Sequence, residues 1–498
     1  MEQSPAKPVR LSAASLHLAA AVVGRPQYER RAVTPGVVHF GPGAFHRAHQ
    51  ADYFDRILAR DPRFGICAVS LRTASVRDAL LPQDGLYTLL ELDDSVSVRV
   101  IGAIREFLVA ADSPRRLSAR LAAPTTRLVT ITVTEKGYCL DGAGNLDLGH
   151  PDIQHDLATV EEPRSVLGWI VRGFQLRRAI GLDPYTVISC DNLSDNGGKL
   201  GRAVREFASR MDPALSGWIA DRGHFPRTMV DSITPATDDA LRDRVAKLTG
   251  LADAWPVQRE RFAQWVIEEA DDRGLPDWQN AGVTVNKNVR AFEQAKLRML
   301  NGAHSALAYL GLLLGLETVC DAVHHPLLRG FIEQLLAEEV EPSLLGLDSG
   351  QRTTYRQAIL RRFANTTLRH RLEQIAWDGT QKLPIRIFGS VIDALDGGRP
   401  AARLIAVLAA WMQFVRARAN AGVAIVDPLG AELGECGLRT NGDGDHDLPL
   451  FLSLPNLLPQ RLVDDPGFRR LLVGAYERMT NRGVSCALEL LFEPMDSK

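Results

Sequence analysis

The spacing of apolar residues divides the chain into two parts of different character. In the first part, short β-branched apolar runs alternate with stretches of helical periodicity. This alternation is typical of a mostly parallel sheet with helices on both faces. The predicted strands are residues 36–40, 64–71, 98–101, 128–133 and 185–189, and the predicted helices are residues 44–59, 114–122 and 165–180.

The second part has helical periodicity with little strand pattern. Its predicted helical stretches are residues 290–342, 351–376, 388–418 and 460–490. We therefore predict an α/β protein of two domains. The first, over residues 1–287, carries the sheet, and the second, over residues 288–498, is mostly α-helical.

Composition and charge narrow the class of partner. The chain is 45% hydrophobic and 24% charged, and its 58 Lys and Arg residues balance 60 Asp and Glu residues. This balance gives no support for nucleic acid or an anionic membrane surface as a partner. The longest apolar run, residues 306–316, is too short to span a bilayer, and the N-terminus lacks the pattern of a signal peptide. We expect a cytoplasmic location.

No metal site is predicted. The six cysteines are scattered without a Cys-x-x-Cys pair, which argues against a zinc site and a disulfide framework. Residues 441–447 (NGDGDHD) resemble a calcium loop. The twelfth loop position holds Leu454 instead of a bidentate glutamate, so we interpret this stretch as a solvated loop.

A glycine turn follows the first predicted strand. Gly41 and Gly43 stand between that strand and a helix, which is the opening unit of a Rossmann-type dinucleotide-binding domain. The third glycine of the usual motif is replaced by His46, and a purely structural turn is the alternative. Arg47, on the first helical turn, adds a guanidinium that can hold phosphate.

The residues that select the cofactor are expected at the end of the second strand. An acid that binds the adenosine ribose usually stands there, but residues 68–72 contain none. Arg72 can accommodate a 2′-phosphate, or it can simply be solvated. The choice between NAD and NADP stays open at this stage.

Polar residues also follow later strands, where ligands bind in open α/β sheets. Residues 134–136 (TEK) come after one strand, and Asn192 comes after the next. Both stretches could equally be loop turns. Asp231 is an isolated carboxylate in the apolar run 229–235, and such an acid usually has a partner, for which Lys296 is a candidate.

Three polar residues interrupt the apolar run 295–310. Lys296, Asn301 and His304 follow a Lys-x4-Asn-x2-His spacing that gathers them on one face of a helix. A lysine among Leu, Met and Ala side chains is poorly solvated, which lowers its pKa and suits a general base. The alternative is an ordinary core helix whose lysine extends to solvent.

Two cations flank a Gly/Pro turn further along. Lys382 and Arg386 would suit an anionic substrate group, although two solvated cations explain the pattern equally well. Nucleophile-elbow, Walker and His-Glu-x-x-His motifs do not occur in the sequence.

With these motifs assembled, the chain resembles the mannitol dehydrogenase family of polyol-specific long-chain dehydrogenases. The resemblance covers roughly residues 33–490, and within the family it is strongest to members that act on sugar acids. The matching stretches are residues 41–50 (GPGAFHRAHQ), 134–139 (TEKGYC), 190–192 (CDN), 225–234 (FPRTMVDSIT), 265–268 (WVIE), 296–304 (KLRMLNGAH) and 369–386 (RHRLEQIAWDGTQKLPIR).

The resemblance implies a Rossmann-type N-terminal domain, a helical C-terminal domain and metal-independent oxidation of a secondary alcohol by NAD, with NADP not excluded. The implied active site lies in the cleft between the domains. Lys296 would be the acid/base, Asn301 and Asn192 would polarise the carbonyl, His304 would orient the substrate, and Asp231 would sit beside the lysine.

Two further sets of residues are expected to bind ligands. The cofactor set is Phe40, Gly41, Gly43, Ala44, Phe45, Arg47, Ser70, Arg72, Thr134 and Glu135, and the substrate set is Lys136, Lys382 and Arg386. Ser232 stands where relatives commonly have arginine, and Ala68 and Ser70 replace more polar residues near the ribose, so the sugar and the cofactor remain open. The expected partner is a small sugar acid or polyol. The alternatives to a sugar-acid reductase are a neutral polyol dehydrogenase and a catalytically inactive nucleotide-binding regulator. The sequence does not decide whether the protein is a monomer or a homo-oligomer.

Overall fold

The computed structural model describes residues 8–93, 95–270, 274–367, 369–455 and 457–492. Internal contacts divide the chain into two compact units, residues 1–289 and 290–498. The strands of the first unit, in chain order, are β1 (Val9–Arg10), β2 (Pro35–Phe40), β3 (Gly65–Ser70), β4 (Tyr87–Leu92), β5 (Ser97–Ile101), β6 (Ile104–Val109), β7 (Leu128–Ile131), β8 (Thr186–Ser189), β9 (Thr228–Asp231), β10 (Leu251–Ala252), β11 (Val257–Glu260), β12 (Gln264–Glu268) and β13 (Thr284–Asn286).

Helices separate most of these strands. They are α1 (Ala44–Ala48), α2 (Gln50–Leu58), α3 (Ser75–Leu80), α4 (Pro114–Ala122), α5 (Pro151–Ala158), α6 (Val166–Ala179), α7 (Asn196–Met211), α8 (Pro213–Arg222) and α9 (Asp239–Thr249). The apolar faces of these helices pack on both sides of the main sheet, as the alternating sequence pattern predicted.

The main sheet has five parallel strands in the order β6-β3-β2-β7-β8. This order places the first strand of the sheet, β2, in the middle, with chain connections running outward to both sides. Such an arrangement is that of a Rossmann-type sheet, whose ligands bind at the carboxyl ends of the strands where the order reverses. The prediction of a Rossmann-type first domain is confirmed.

Two sequence expectations for this unit were wrong. The apolar run 98–101 belongs to β5, which pairs antiparallel with β4 in a separate small sheet, and the outer strand of the main sheet is β6. The predicted helix over residues 44–59 is interrupted at His49, where φ is −117° and ψ is −84°. The break accompanies burial of the His49 ring, whose Nε2 lies 3.0 Å from the carbonyl oxygen of Gln264. A partner so distant in sequence cannot be read from local periodicity.

The second unit is almost entirely helical. Its α-helices, of which the first begins one residue before the unit boundary, are α10 (Val289–Ala295), α11 (Gly302–Leu313), α12 (Val319–His324), α13 (Pro326–Gln334), α14 (Ser349–Phe363), α15 (Leu372–Ala376), α16 (Gly379–Leu383), α17 (Gly389–Asp396), α18 (Ala402–Asn420), α19 (Gly430–Arg439), α20 (Gly444–Leu452), α21 (Gln460–Val463) and α22 (Pro466–Glu489). Helix α18 runs through the core, with twelve consecutive residues from 404 to 415 buried.

Three segments of this unit are π-helical: residues 296–301, 335–340 and 384–388. The first joins α10 to α11, so the stretch predicted as one regular α-helix changes its hydrogen-bonding pattern at Lys296. π-Helical turns occur mostly as short insertions in α-helices, frequently at functional sites.

The stretch 441–447, interpreted as a solvated loop, is a structured helix start. Asp443 caps the N-terminus of α20, and the buried carboxylate of Asp447 accepts hydrogen bonds from the backbone N–H groups of Asn441 and Gly442 and from the hydroxyl of Tyr476. Within the described ranges, no helix is both long enough and apolar enough to cross a membrane.

Candidate active site

The glycine turn after β2 forms the floor of the site in the first unit. Gly41 has φ of +87°, and a Cβ there would overlap the carbonyl oxygen of Thr132 and lie 2.9 Å from its carbon. Gly43 caps the N-terminus of α1, and a Cβ there would meet its nearest neighbour at 3.9 Å, facing open space. The turn therefore presents bare backbone and helix-start N–H groups, which suits the pyrophosphate of a dinucleotide.

A cavity of about 600 Å³ opens above this turn, at the carboxyl ends of β2, β3 and β7. It brings together six residues predicted from the sequence, namely Gly41, Gly43, Ser70, Arg72, Thr134 and Lys136. Its position at the switch point of the sheet and its exposed backbone fit a bound dinucleotide. The other expected cofactor residues, Phe40, Ala44, Phe45, Arg47 and Glu135, lie outside its lining.

Arg47 has a different role from the one expected. Its guanidinium is buried, donates through Nη1 to the carbonyl oxygen of Trp255 at 2.6 Å, and lies over the rings of Tyr87 and Trp255. Burial lowers the pKa of Arg47 to about 10. The side chain thus ties α1 to the segment before β11, and we remove it from the phosphate-binding set.

Asp191 organises the loop that carries Thr134 and Lys136. Its carboxylate accepts hydrogen bonds from the N–H groups of Val133 at 3.1 Å and Thr134 at 3.0 Å, and from the hydroxyl of Tyr138 at 2.7 Å. Burial raises the pKa of Asp191. These bonds hold Thr134 at φ of +66°, a left-handed value that is unfavourable for threonine. Asp191 is not among the predicted site residues, although an acid directly after a buried strand was a usable sequence signal.

Asn192 and Asp231, two expected catalytic residues, also lie at strand ends of the first unit. Asn192 is exposed just beyond β8, whereas Asp231 is the last residue of β9 and is buried. Nearby Asn196 fixes these ends, because its amide donates to the carbonyl oxygen of Thr228 at 3.0 Å and accepts from the N–H of Thr228 at 3.0 Å.

The other three expected catalytic residues lie on the π-helical segment of the second unit and the helix after it. Lys296 and Asn301 are half-buried at the two ends of that segment, and His304 is buried one turn into α11. The widened turn changes the angular spacing of Lys296 and Asn301 from that of a regular α-helix. Because a π-helix bonds residue i to residue i+5, Lys296 and Asn301 lie about one turn apart along this segment, and His304 follows Asn301 at i,i+3.

His304 is a buried, neutral imidazole. Its ring lies 4.5 Å from the Phe363 ring and 5.2 Å from the His370 ring, measured between centroids. Burial lowers the pKa of His304 well below its ordinary value, and the charges of His370, Arg362 and Arg386 lower it further. Its Nε2 has no hydrogen-bond partner in the part of the chain that the structure describes.

Two of the three expected substrate cations belong to the second unit, Lys382 on α16 and Arg386 on the π-helical segment 384–388. Arg386 donates through Nη1 to the hydroxyl of Ser305 at 3.1 Å and to the carbonyl oxygen of Asn301 at 3.5 Å. Lys382 lies 3.8 Å from Asp378, and burial followed by the charge of Arg386 lowers its pKa. The structure thus brings Arg386 against the helix that carries Asn301 and His304.

The fold and these two polar clusters define the class: a Rossmann-type oxidoreductase with a helical second unit. The family model for the mannitol dehydrogenase Rossmann domain matches residues 35–280, and the model for the mannitol dehydrogenase C-terminal domain matches residues 288–468. The chain belongs to the mannitol dehydrogenase family of oxidoreductases, which act on CH–OH groups. Among the described side chains, no group of three or more His, Cys, Asp or Glu residues could hold a metal ion.

Relatives with two different substrates are equally similar. Mannitol 2-dehydrogenase of Aspergillus clavatus is 38% identical over 473 residues, covering 92% of this chain and 93% of its own. D-mannonate oxidoreductase of Escherichia coli K12 is 38% identical over 470 residues, covering 93% and 96%.

Two solved structures share the fold over nearly the whole chain. A ternary complex of Pseudomonas fluorescens mannitol 2-dehydrogenase with NAD and D-mannitol is 35% identical, has a TM-score of 0.79 and covers 98% of this chain and 100% of its own. A substrate-free D-sorbitol dehydrogenase is 29% identical, has a TM-score of 0.90 and covers 96% and 100%.

Proposed function

We propose that this chain is an NAD-dependent fructuronate reductase, which interconverts D-fructuronate and D-mannonate. The observation that carries the sugar-acid assignment is the cationic cluster of the second unit. Arg386 donates to Ser305, the neighbour of His304, and Lys382 is close enough to Arg386 for their charges to interact; burial lowers the pKa of each cation. Two cations that have lost part of their hydration favour a carboxylate ligand, because charge-assisted hydrogen bonds to the anion replace the lost contacts with water.

The cofactor cavity supports NAD. The turn of Gly41 and Gly43 and the helix start behind it would hold the pyrophosphate, with Ser70, Arg72 and Thr134 around the adenosine half and Lys136 towards the substrate. When bound, NAD supplies or accepts the hydride at its nicotinamide ring.

The residues of this chain handle the proton. Lys296 takes the proton of the substrate hydroxyl during oxidation and returns it during reduction. The amides of Asn301 and Asn192 donate to the carbonyl oxygen, and each such donor typically contributes on the order of 3–4 kcal/mol to the transition state. The neutral ring of His304 orients a substrate hydroxyl.

A mannitol 2-dehydrogenase is the second candidate. It is favoured by the mannitol 2-dehydrogenase relatives, which are as similar as the D-mannonate oxidoreductase. In that case Arg386 and Lys382 would donate to hydroxyl groups instead of a carboxylate. A non-catalytic nucleotide-binding regulator is the remaining alternative, and the joint presence of Lys296, Asn301 and His304 argues against it.

A substrate panel separates these functions. NADH and NADPH oxidation is measured with fructuronate, tagaturonate and fructose, and we expect the highest kcat/KM with fructuronate and NADH. Arg386→Gln should lower kcat/KM for fructuronate at least about tenfold more than for fructose, because it removes a carboxylate ligand. Arg371→Gln, at a 65% exposed side chain, serves as control. Activity on fructose alone would refute the sugar-acid assignment.

A further inference from the structure

The cofactor cavity lacks an acid at the place where a Rossmann-type domain usually binds the adenosine ribose. That place is the carboxyl end of β3 and the residues after it, which are Ala68, Val69, Ser70, Leu71 and Arg72. Since none carries a carboxylate, the ribose hydroxyls have no acceptor of that kind on this strand.

A carboxylate reaches the same cavity from another element. Asp152 lies in the first turn of α5, lines the cavity, and accepts a hydrogen bond from Nη2 of Arg72 at 2.7 Å. Its side chain is 19% exposed, whereas that of Arg72 is 76% exposed, so the acid is the more firmly held partner. Because the pair is in contact, Arg72 does not face the cavity as an uncompensated cation.

The pair lies where two cavities meet. A second cavity of about 600 Å³ shares Arg72 and Asp152 with the first and is lined by Trp169 together with the polar side chains of His155 and Glu162. An ion pair between the glycine turn and a pocket with an aromatic wall matches the order of pyrophosphate, ribose and purine along a dinucleotide.

We propose that Asp152 replaces the missing strand-end acid. It accepts hydrogen bonds from the ribose hydroxyls and holds Arg72, so the chain selects the dinucleotide with a free 2′-hydroxyl over the one with a 2′-phosphate. This inference rests on the proposed dinucleotide-dependent function. A 2′-phosphate would bring further negative charge against the Asp152 carboxylate, and like charges in contact oppose binding.

Calorimetric titration of the full-length protein with NAD⁺ and NADP⁺ tests the proposal without using activity. Wild type should bind NAD⁺ more tightly. Asp152→Asn keeps the shape of the side chain, removes its charge and releases Arg72, so the ratio of the two Kd values should move towards NADP⁺ by about tenfold or more. Adding Arg72→Ala to that variant should reverse the gain in NADP⁺ affinity.

Asp183→Asn is the control for loss of a carboxylate from an Asp–Arg ion pair, because Asp183 pairs with Arg222 at 2.8 Å on the surface and lies outside both cavity linings. Unchanged melting temperatures show that the variants are folded. The proposal is overturned if Asp152→Asn shifts the ratio no more than Asp183→Asn does, or if wild type prefers NADP⁺. Wild type that binds neither dinucleotide would overturn the proposed function itself.

Discussion

Replacing Gly41 by alanine should damage both the fold of the first unit and its cofactor site. Alanine at φ of +87° costs about 1–2 kcal/mol. The new Cβ also overlaps the carbonyl oxygen of Thr132, a backbone group that can yield only by shifting the end of β7. Overpacking of this kind costs about 1–3 kcal/mol, which gives a total of about 2–5 kcal/mol.

Gly43→Ala separates the two effects, since Gly43 has φ of −68° and its Cβ would face open space in the cavity. We expect its stability to stay within about 1 kcal/mol of wild type and its NAD⁺ affinity to fall about tenfold, because the methyl group stands where backbone approaches the pyrophosphate. Urea unfolding followed by tryptophan fluorescence and NAD⁺ titration measure both quantities. A Gly41→Ala protein as stable as Gly43→Ala would refute the close-contact account.

Two further predictions concern titratable groups of the first unit. Asp191→Asn leaves fewer acceptors for the N–H groups of Val133 and Thr134. The free energy of unfolding in urea should therefore fall by about 1–3 kcal/mol, and NAD⁺ should bind more weakly. Wild-type values for both quantities would contradict the role given to Asp191. His39 and His49 are buried, and desolvation lowers the pKa of each to about 3. The unfolded chain therefore binds more protons below pH 6.5, and each histidine should lower stability by up to about 1.4 kcal/mol per pH unit as the pH falls from 6.5 towards 3. Between pH 7.5 and pH 5.0, the free energy of unfolding should fall less in His49→Gln than in wild type. An equal fall in both proteins would contradict the lowered pKa of His49.

Much of the first unit could be predicted because its signals are local. Strand β2, the glycine turn and the start of α1 are contiguous in sequence, so the apolar run and the glycines were enough to predict the turn that lines the cofactor cavity. The strand of the main sheet that was not predicted, β6, carries Arg105 and Glu106 among its apolar residues, and this mixture hides a partly buried strand from an apolar-run search.

The remaining errors depend on partners far away in the chain. Arg47 is buried because Trp255, 208 positions later, offers a carbonyl oxygen and a ring, and nothing near Arg47 in sequence shows this. The π-helical turn at Lys296 likewise lies against the π-helical segment 384–388, where Arg386 reaches Asn301 and Ser305. The spacing of Lys296, Asn301 and His304 was interpreted on one regular α-helix, whereas the segment from Lys296 to Asn301 is π-helical.

We propose that Lys296 is the acid/base of a nicotinamide-dependent reaction. The most direct test of this proposal is kcat of Lys296→Ala, measured as NADH consumption with the panel member that wild type turns over fastest, together with the Kd of NADH. We predict a fall in kcat of about 10²–10⁴-fold with an unchanged Kd, since a general acid/base contributes about that much to the rate. Lys287→Ala, at an 86% exposed side chain, should keep wild-type kcat. A Lys296→Ala protein with kcat within twofold of wild type would contradict the account.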